Sequence, residues 1–181
     1  MHVQTHILCG WCAGNLLPLN PRQRLFCMIA ASVSDIDGLG RLVSEELYWD
    51  YHHRLGHCAL FGATVSLVLA AFSPKKVLSF IVYLALFHLH LALDVLGSGS
   101  GWKIHYLWPW SEWGFRIDWG WELYSWQNIC AFVALLLWTV VIAVRKRRTP
   151  LELLMPSLDR RFVAWLSRVP APSSPLPPGE G

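Results

Sequence analysis

Two long apolar runs dominate the chain. The segments VLSFIVYLALFHLHLALDVLG (77–97) and WQNICAFVALLLWTVVIAV (126–144) each approach the ~20 residues a helix needs to cross ~30 Å of hydrocarbon. A third run, CALFGATVSLVLAAF (58–72), is shorter and apolar all round. The turn SPKK (73–76) joins it to 77–97, and the pair predicts a tight helical hairpin. Near the N-terminus, 4–17 and 25–34 read as two shorter apolar helices joined through PLNPRQR. They are too short to cross comfortably alone and are expected to pack in the bundle with one end shielded by protein. The pattern predicts an all-α, polytopic membrane bundle of about five helices.

The stretches between the runs sharpen this picture. Residues 97–122, GSGSGWKIHYLWPWSEWGFRIDWGWE, form a Gly/Trp-rich loop holding Trp102, Trp108, Trp110, Trp113, Trp119 and Trp121. Indoles in such density suit the membrane–water interface, where the ring is buried and the N–H is wet. An aromatic-lined substrate cleft is the sharper reading, and the two are compatible. After Arg148 comes an amphipathic piece, LDRRFVAWLSR, and then VPAPSSPLPPGEG, which is Pro-rich and expected to be disordered. Residues 1–148 are thus read as a membrane-embedded helical domain, and 149–181 as an amphipathic segment with a tail.

Composition agrees. The 181 residues are 54% hydrophobic and 15% charged, against roughly a quarter charged in soluble domains. The net charge of +3 is small and its basic residues are clustered, so nucleic acid is not the natural partner. Cys9, Cys12, Cys27, Cys58 and Cys130 lack the spacing of a disulfide framework. Cys9-Gly-Trp-Cys12 has CxxC spacing, yet in an apolar helix two small buried side chains are the simpler reading. No second CxxC completes a four-cysteine zinc site. The start of the chain lacks a basic n-region, and His2, Gln4 and His6 interrupt it, so it does not read as a secretory signal.

Charge also suggests an orientation. If each helix crosses, Arg22, Arg24, Lys75, Lys76 and Arg145–Arg148 fall on one side, and only Arg41, Arg54, Lys103 and Arg116 on the other. The first side is then cytoplasmic. Nine of the twelve acidic residues gather on the opposite side.

So do the residues that can bind a metal. His6 starts the first helix; Asp35 and Asp37, in VSDIDG, end the second; His52, His53 and His57 start the third; His90 and Asp94 lie late in the fourth. Four separate regions are therefore expected at one depth. His53 and His57 are four apart, as are His90 and Asp94, so each pair is expected to share a helix face. His88 points to roughly the opposite face from His90 and is left out. A loop could turn either Asp35 or Asp37 inward, with Asp37 slightly favoured. Imidazole and carboxylate without thiolate suit zinc, manganese or iron. The donors exceed what one catalytic zinc takes, so one or two ions are expected. Ionisable residues within a spanning segment are costly unless partnered and point to function. Arg54, among the histidines, is either a headgroup-level cation or a stabiliser of an anionic substrate.

The order TH, SDIDG, YHHRLGH, HLHLALDVLGSGSGW, YLWPWS and WELYSWQN resembles the YdjM-like family of inner-membrane proteins, described as predicted metal-dependent hydrolases. The resemblance covers about residues 1 to 145 and implies His6, Asp35, Asp37, His53, His57, His90 and Asp94 as ligands. Many members separate the two loop histidines by five residues; here His52 stands five before His57 and His53 four, and either could be the ligand. The order of Asp, His pair and HxxxD step is also loosely similar to zinc-dependent phospholipase C.

The expectation is an integral inner-membrane metallohydrolase, cleaving a phosphoester or other ester of an amphiphilic substrate at the extracytoplasmic interface. His6, Asp37, His53, His57, His90 and Asp94 would hold the metal, Asp35 or Asp37 would serve as base, and Arg54 would neutralise charge. The competing class is a transporter or a metal or proton relay using the same cluster. It expects polar residues along a path to both faces, whereas here they gather at one end.

Overall fold

In the computed structural model, residues 1–166 are described, and they are all-α. Seven α-helices occur among them: α1 (Val3–Gly14), α2 (Pro21–Ser32), α3 (Glu45–Tyr51), α4 (Ala59–Ala71), α5 (Lys76–Gly97), α6 (Trp126–Lys146) and α7 (Pro156–Leu166). A 3-10 segment, Val33–Leu42, follows α2. The amphipathic piece near the C-terminus forms α7 as far as Leu166; the Pro-rich stretch expected to be disordered lies outside the described residues.

Among the described residues, only α5 and α6 are long and apolar enough to cross a bilayer. At 22 residues α5 is about 33 Å long, just over the hydrocarbon thickness. With 12 residues each, α1 and α2 reach only about 18 Å. Side by side the helices run in the order α4, α5, α2, α1, α6.

Small residues let the backbones close up. A Cβ on Gly10 of α1 would lie 2.5 Å from the Cys27 carbonyl oxygen of α2 and 2.8 Å from Ala31 Cβ. On α4 a Cβ at Gly62 would stand 2.3 Å from the Phe87 ring of α5. Where hydrocarbon surrounds helices, such close approach supplies the packing that water exclusion cannot. The core between them is Cys27, Ala30, Ala31, Ala70, Tyr83 and Leu86. Cys9 and Cys12 form no disulfide, and Cys12 Sγ lies 3.6 Å from Thr139 Oγ1 of α6.

The bundle has two polar ends. At one, α2 begins with a capping box, Asn20 and Gln23, with Pro21 in its first turn. There Arg24 meets Glu152, beyond α6, and Lys146 donates to the Asn15 carbonyl. At the other end lie the start of α1, the exit from α2, the approach to α4 and the last turns of α5. The Trp-rich loop folds over this end. It is held by Asn128 of α6, which accepts from Trp121 Nε1 at 2.7 Å and donates to the carbonyls of Gly97 and Leu123. A single antiparallel bridge, Ile104 to Phe115, is the β-pairing among the described residues.

Candidate metal centre

The close approach at Gly10 serves the site directly. It sets His6, one turn earlier on α1, and the Ala31 carbonyl, at the end of α2, against the same turns of α5. His6, His53, His57, His90, Asp37 and Asp94 are all buried, and the Asp35 side chain nearly so.

Two ligand groups result. His6, Asp35, His90 and Asp94 each bring one donor atom within 4.8 Å of the others, and His53, His57 and Asp94 do the same. Asp94 is common to both. Its Oδ1 lies 3.1 Å from His6 Nε2, and its Oδ2 lies 3.2 Å from His57 Nε2 and 3.0 Å from His90 Nε2. Ser98 Oγ donates to Asp94 Oδ1 at 3.3 Å, and the Met1 amine also contacts that oxygen.

The ring nitrogens on the far side fix the orientation. His57 Nδ1 donates to Asp37 Oδ2 at 2.9 Å, and His90 Nδ1 donates to the Ala31 carbonyl at 2.8 Å. In the neutral rings both Nε2 atoms are then lone pairs, 3.2 Å apart and both facing Asp94. Acceptors set against acceptors need a proton or a cation between them. Nearby, Asp35 Oδ2, His6 Nδ1 and His53 Nδ1 are buried with no hydrogen-bond partner, which is uncommon for buried polar atoms. A divalent cation fits this donor set. Cys58 is beside it, but its thiol donates to the Leu55 carbonyl at 3.4 Å, leaving an oxygen and nitrogen shell.

Electrostatics follow the same geometry. Burial alone would lower the pKa of His57, but hydrogen bonds to Asp37 and Asp94 outweigh it and push the pKa up to about 9. Burial would raise that of Asp37, yet His52 and His57 hold it well below the usual carboxylate range. Burial pushes Asp35 up, and burial with the neighbouring His57 pushes His53 well down.

Two expectations change here. The chain from His52 to His57 is a turn, not a helix, so His53 and His57 meet without a shared helical face; His53 sits at a positive φ of 66°. Asp37, favoured as a ligand, stands behind the imidazoles instead. It accepts from His52 Nδ1 at 2.7 Å, from His57 Nδ1, and from the backbone N–H groups of His53 and Gly56. Asp35 is the carboxylate that joins a ligand group. His53, not His52, joins the other, while His52 lines a neighbouring cleft. Sequence reasoning missed the Ala31 carbonyl and α3. Ser44 followed by Glu45 and Glu46 was a readable N-cap signal for α3; nothing in the sequence marks the carbonyl.

The cleft, about 480 Å³, is bounded by Trp49, His52, Arg54, Trp102, Lys103 and His105, with Glu122 as its acidic member. The half-buried Arg54 has its Nη2 3.6 Å from Glu112. Trp102 stacks on Trp49 at 5.0 Å and touches His52 and His53. On the outer face of α5, His88 bonds to Tyr106, away from the donors.

A model of the YdjM inner membrane protein family matches residues 1–168. The chain belongs to this family. No curated protein and no solved structure matches it. The YdjM match therefore supplies the membrane setting, while the likeness to zinc-dependent phospholipase C rests on the order of a few residues alone.

Proposed function

We propose that this YdjM-family chain is a multi-pass membrane hydrolase that cleaves a phosphoester or another ester of an amphiphilic substrate. The observation that carries the reading is the position of Asp94, shared by two imidazole–carboxylate groups beside a cleft lined by Arg54 and Lys103. Two divalent ions, best zinc, would share it: one with His6, Asp35 and His90, the other with His53 and His57. Ions held there would polarise a water and lower its pKa toward about 7.

The remaining work belongs to side chains. Asp37 and the Ala31 carbonyl hold His57 and His90 in one tautomer and orientation, as outer partners of metal-binding histidines do. Asp35 keeps its Oδ2 unpartnered, so with the other oxygen on an ion it would be free to orient the attacking water. His52, its Nδ1 held by Asp37, presents the rest of its ring to the cleft. Arg54 offers a guanidinium to an anionic head group. The excess of basic residues at the opposite end supports a cytoplasmic position for that end, with the cup facing outward and α5 and α6 spanning.

The test is elemental analysis of the purified protein joined to phosphodiesterase, phosphomonoesterase and carboxylesterase screens. Tightly bound metal with ester cleavage that His57→Ala abolishes supports the reading. Metal flux through proteoliposomes without cleavage replaces it with a carrier.

A further inference from the structure

The Trp-rich loop builds a second cavity that the cup does not use. It lies between the outer face of α5 and the segment 104–119, with a volume of about 520 Å³. Leu91, Val95, Ile104, Phe115, Ile117 and Trp119 supply most of its wall. Its two polar members satisfy each other: His88 Nε2 bonds to the Tyr106 hydroxyl at 2.8 Å, and His88 Nδ1 bonds to the Leu84 carbonyl at 2.8 Å. The cavity therefore offers little to hold water.

Its relation to the polar cleft is set by one extended stretch. Lys103 and His105 line the cleft, whereas Ile104 and Tyr106 line the cavity. Successive side chains of an extended backbone point to opposite faces, so this stretch is a shared wall with a cationic side and an apolar side. The wall is fixed: Ile104 pairs with Phe115, His105 N donates to the His53 carbonyl at 3.1 Å, and Ala59 N donates to the Tyr106 carbonyl at 2.8 Å.

We propose that the apolar cavity holds one hydrocarbon chain of an anionic lipid whose head group lies in the cleft beside Arg54 and Lys103. The cavity is lined by the last turns of α5, from His88 to Leu96, on a helix long and apolar enough to span a bilayer, where surrounding lipid would bring acyl chains. Trp113 and Trp119 on its rim are mostly exposed, as interfacial indoles are. The volume is that of a ligand site, on the order of 300–1,000 Å³. The choice of this lipid as substrate rests on the hydrolytic reading of the cup; its occupancy of the cavity is measured without turnover.

The test uses the full chain, stripped of metal by chelation, in phosphatidylcholine vesicles with a trace of phosphatidylglycerol carrying a mid-chain photoactivatable diazirine. Cross-linked peptides are located by mass spectrometry. Labelling of 91–96 and 104–119 should saturate at about one lipid per chain and be competed by unlabelled phosphatidylglycerol, a stoichiometry within what one such ligand site holds. Ala92→Trp, which places an indole in the cavity, should cut this labelling at least tenfold while the exposed Leu137 region of α6 labels as before. Ile117→Trp serves as a second block if the first variant does not fold. Unsaturable labelling of α5 and α6 alike, or labelling indifferent to a folded blocking variant, overturns the proposal. Saturable labelling in a protein that cleaves no ester upholds the lipid site and removes the hydrolytic reading instead.

Discussion

Two buried ionic clusters sit at opposite ends of one bundle, and they are built on opposite rules. At the Arg24 end, Nε and Nη2 of one guanidinium meet the two oxygens of Glu152 at 2.6 and 2.8 Å, and Nη1 donates to the Leu19 carbonyl. Each guanidinium nitrogen of Arg24 faces an acceptor. At the Asp94 end, imidazole lone pairs and carboxylates face one another, and several polar atoms have no partner. The Arg24–Glu152 pair is satisfied as folded and ties α2 to the chain beyond α6. In the second cluster, only a proton on His57 or a cation sets a donor between the facing acceptors. A buried cluster that needs an added proton or ion is a candidate site, whereas a matched pair acts as a strut.

Breaking each cluster should therefore give different failures. His90→Ala should remove one of the two ions, leaving the one held by His53 and His57, while the bundle keeps its helix content, measured by elemental analysis and circular dichroism. Arg24→Ala should leave metal bound but strand Glu152, at a cost of about 3–5 kcal/mol in unfolding measurements. Replacing both partners, Arg24→Met with Glu152→Leu, should recover most of that loss. Asp37→Asn keeps every ligand and loosens only the hold on His57 and His52, so metal affinity should fall by about 10–100-fold in chelator competition.

The smallest effect is in pH. Without metal, the His57 pKa is raised from 6.5 to about 9, so the stability from its pairing with Asp37 and Asp94 is complete below 6.5 and is lost as pH rises through about 9. An incoming ion displaces that proton, so metal affinity should strengthen by up to about tenfold for each pH unit gained below 9, with proton release seen by calorimetry.

Much of the fold was legible because hydrophobic runs are local. The boundaries of α4, α5 and α6 follow from where apolar runs meet Ser-Pro-Lys-Lys and Ser125. The placement of His90 and Asp94 followed from helical spacing, and the structure keeps that pair on one face. What failed was spacing applied to a stretch that is not helical. His52–His57 is shaped by Asp37, a residue distant in sequence, whose carboxylate collects the backbone N–H groups of the turn. The different positions of Asp35, within a donor group, and Asp37, behind the imidazoles, depend on the 3-10 segment after α2, which no periodicity marks. The division of the Trp loop into a cationic cleft and an apolar cavity needed the pairing of Ile104 with Phe115, a contact that no local pattern marks.

The shared position of Asp94 is best tested by counting ions. Elemental analysis of purified protein should find two divalent ions per chain, one after His6→Ala, one after His53→Ala, and none after Asp94→Asn. A wild-type chain that folds, is exposed to zinc and manganese, and retains neither after desalting would contradict the metal centre outright.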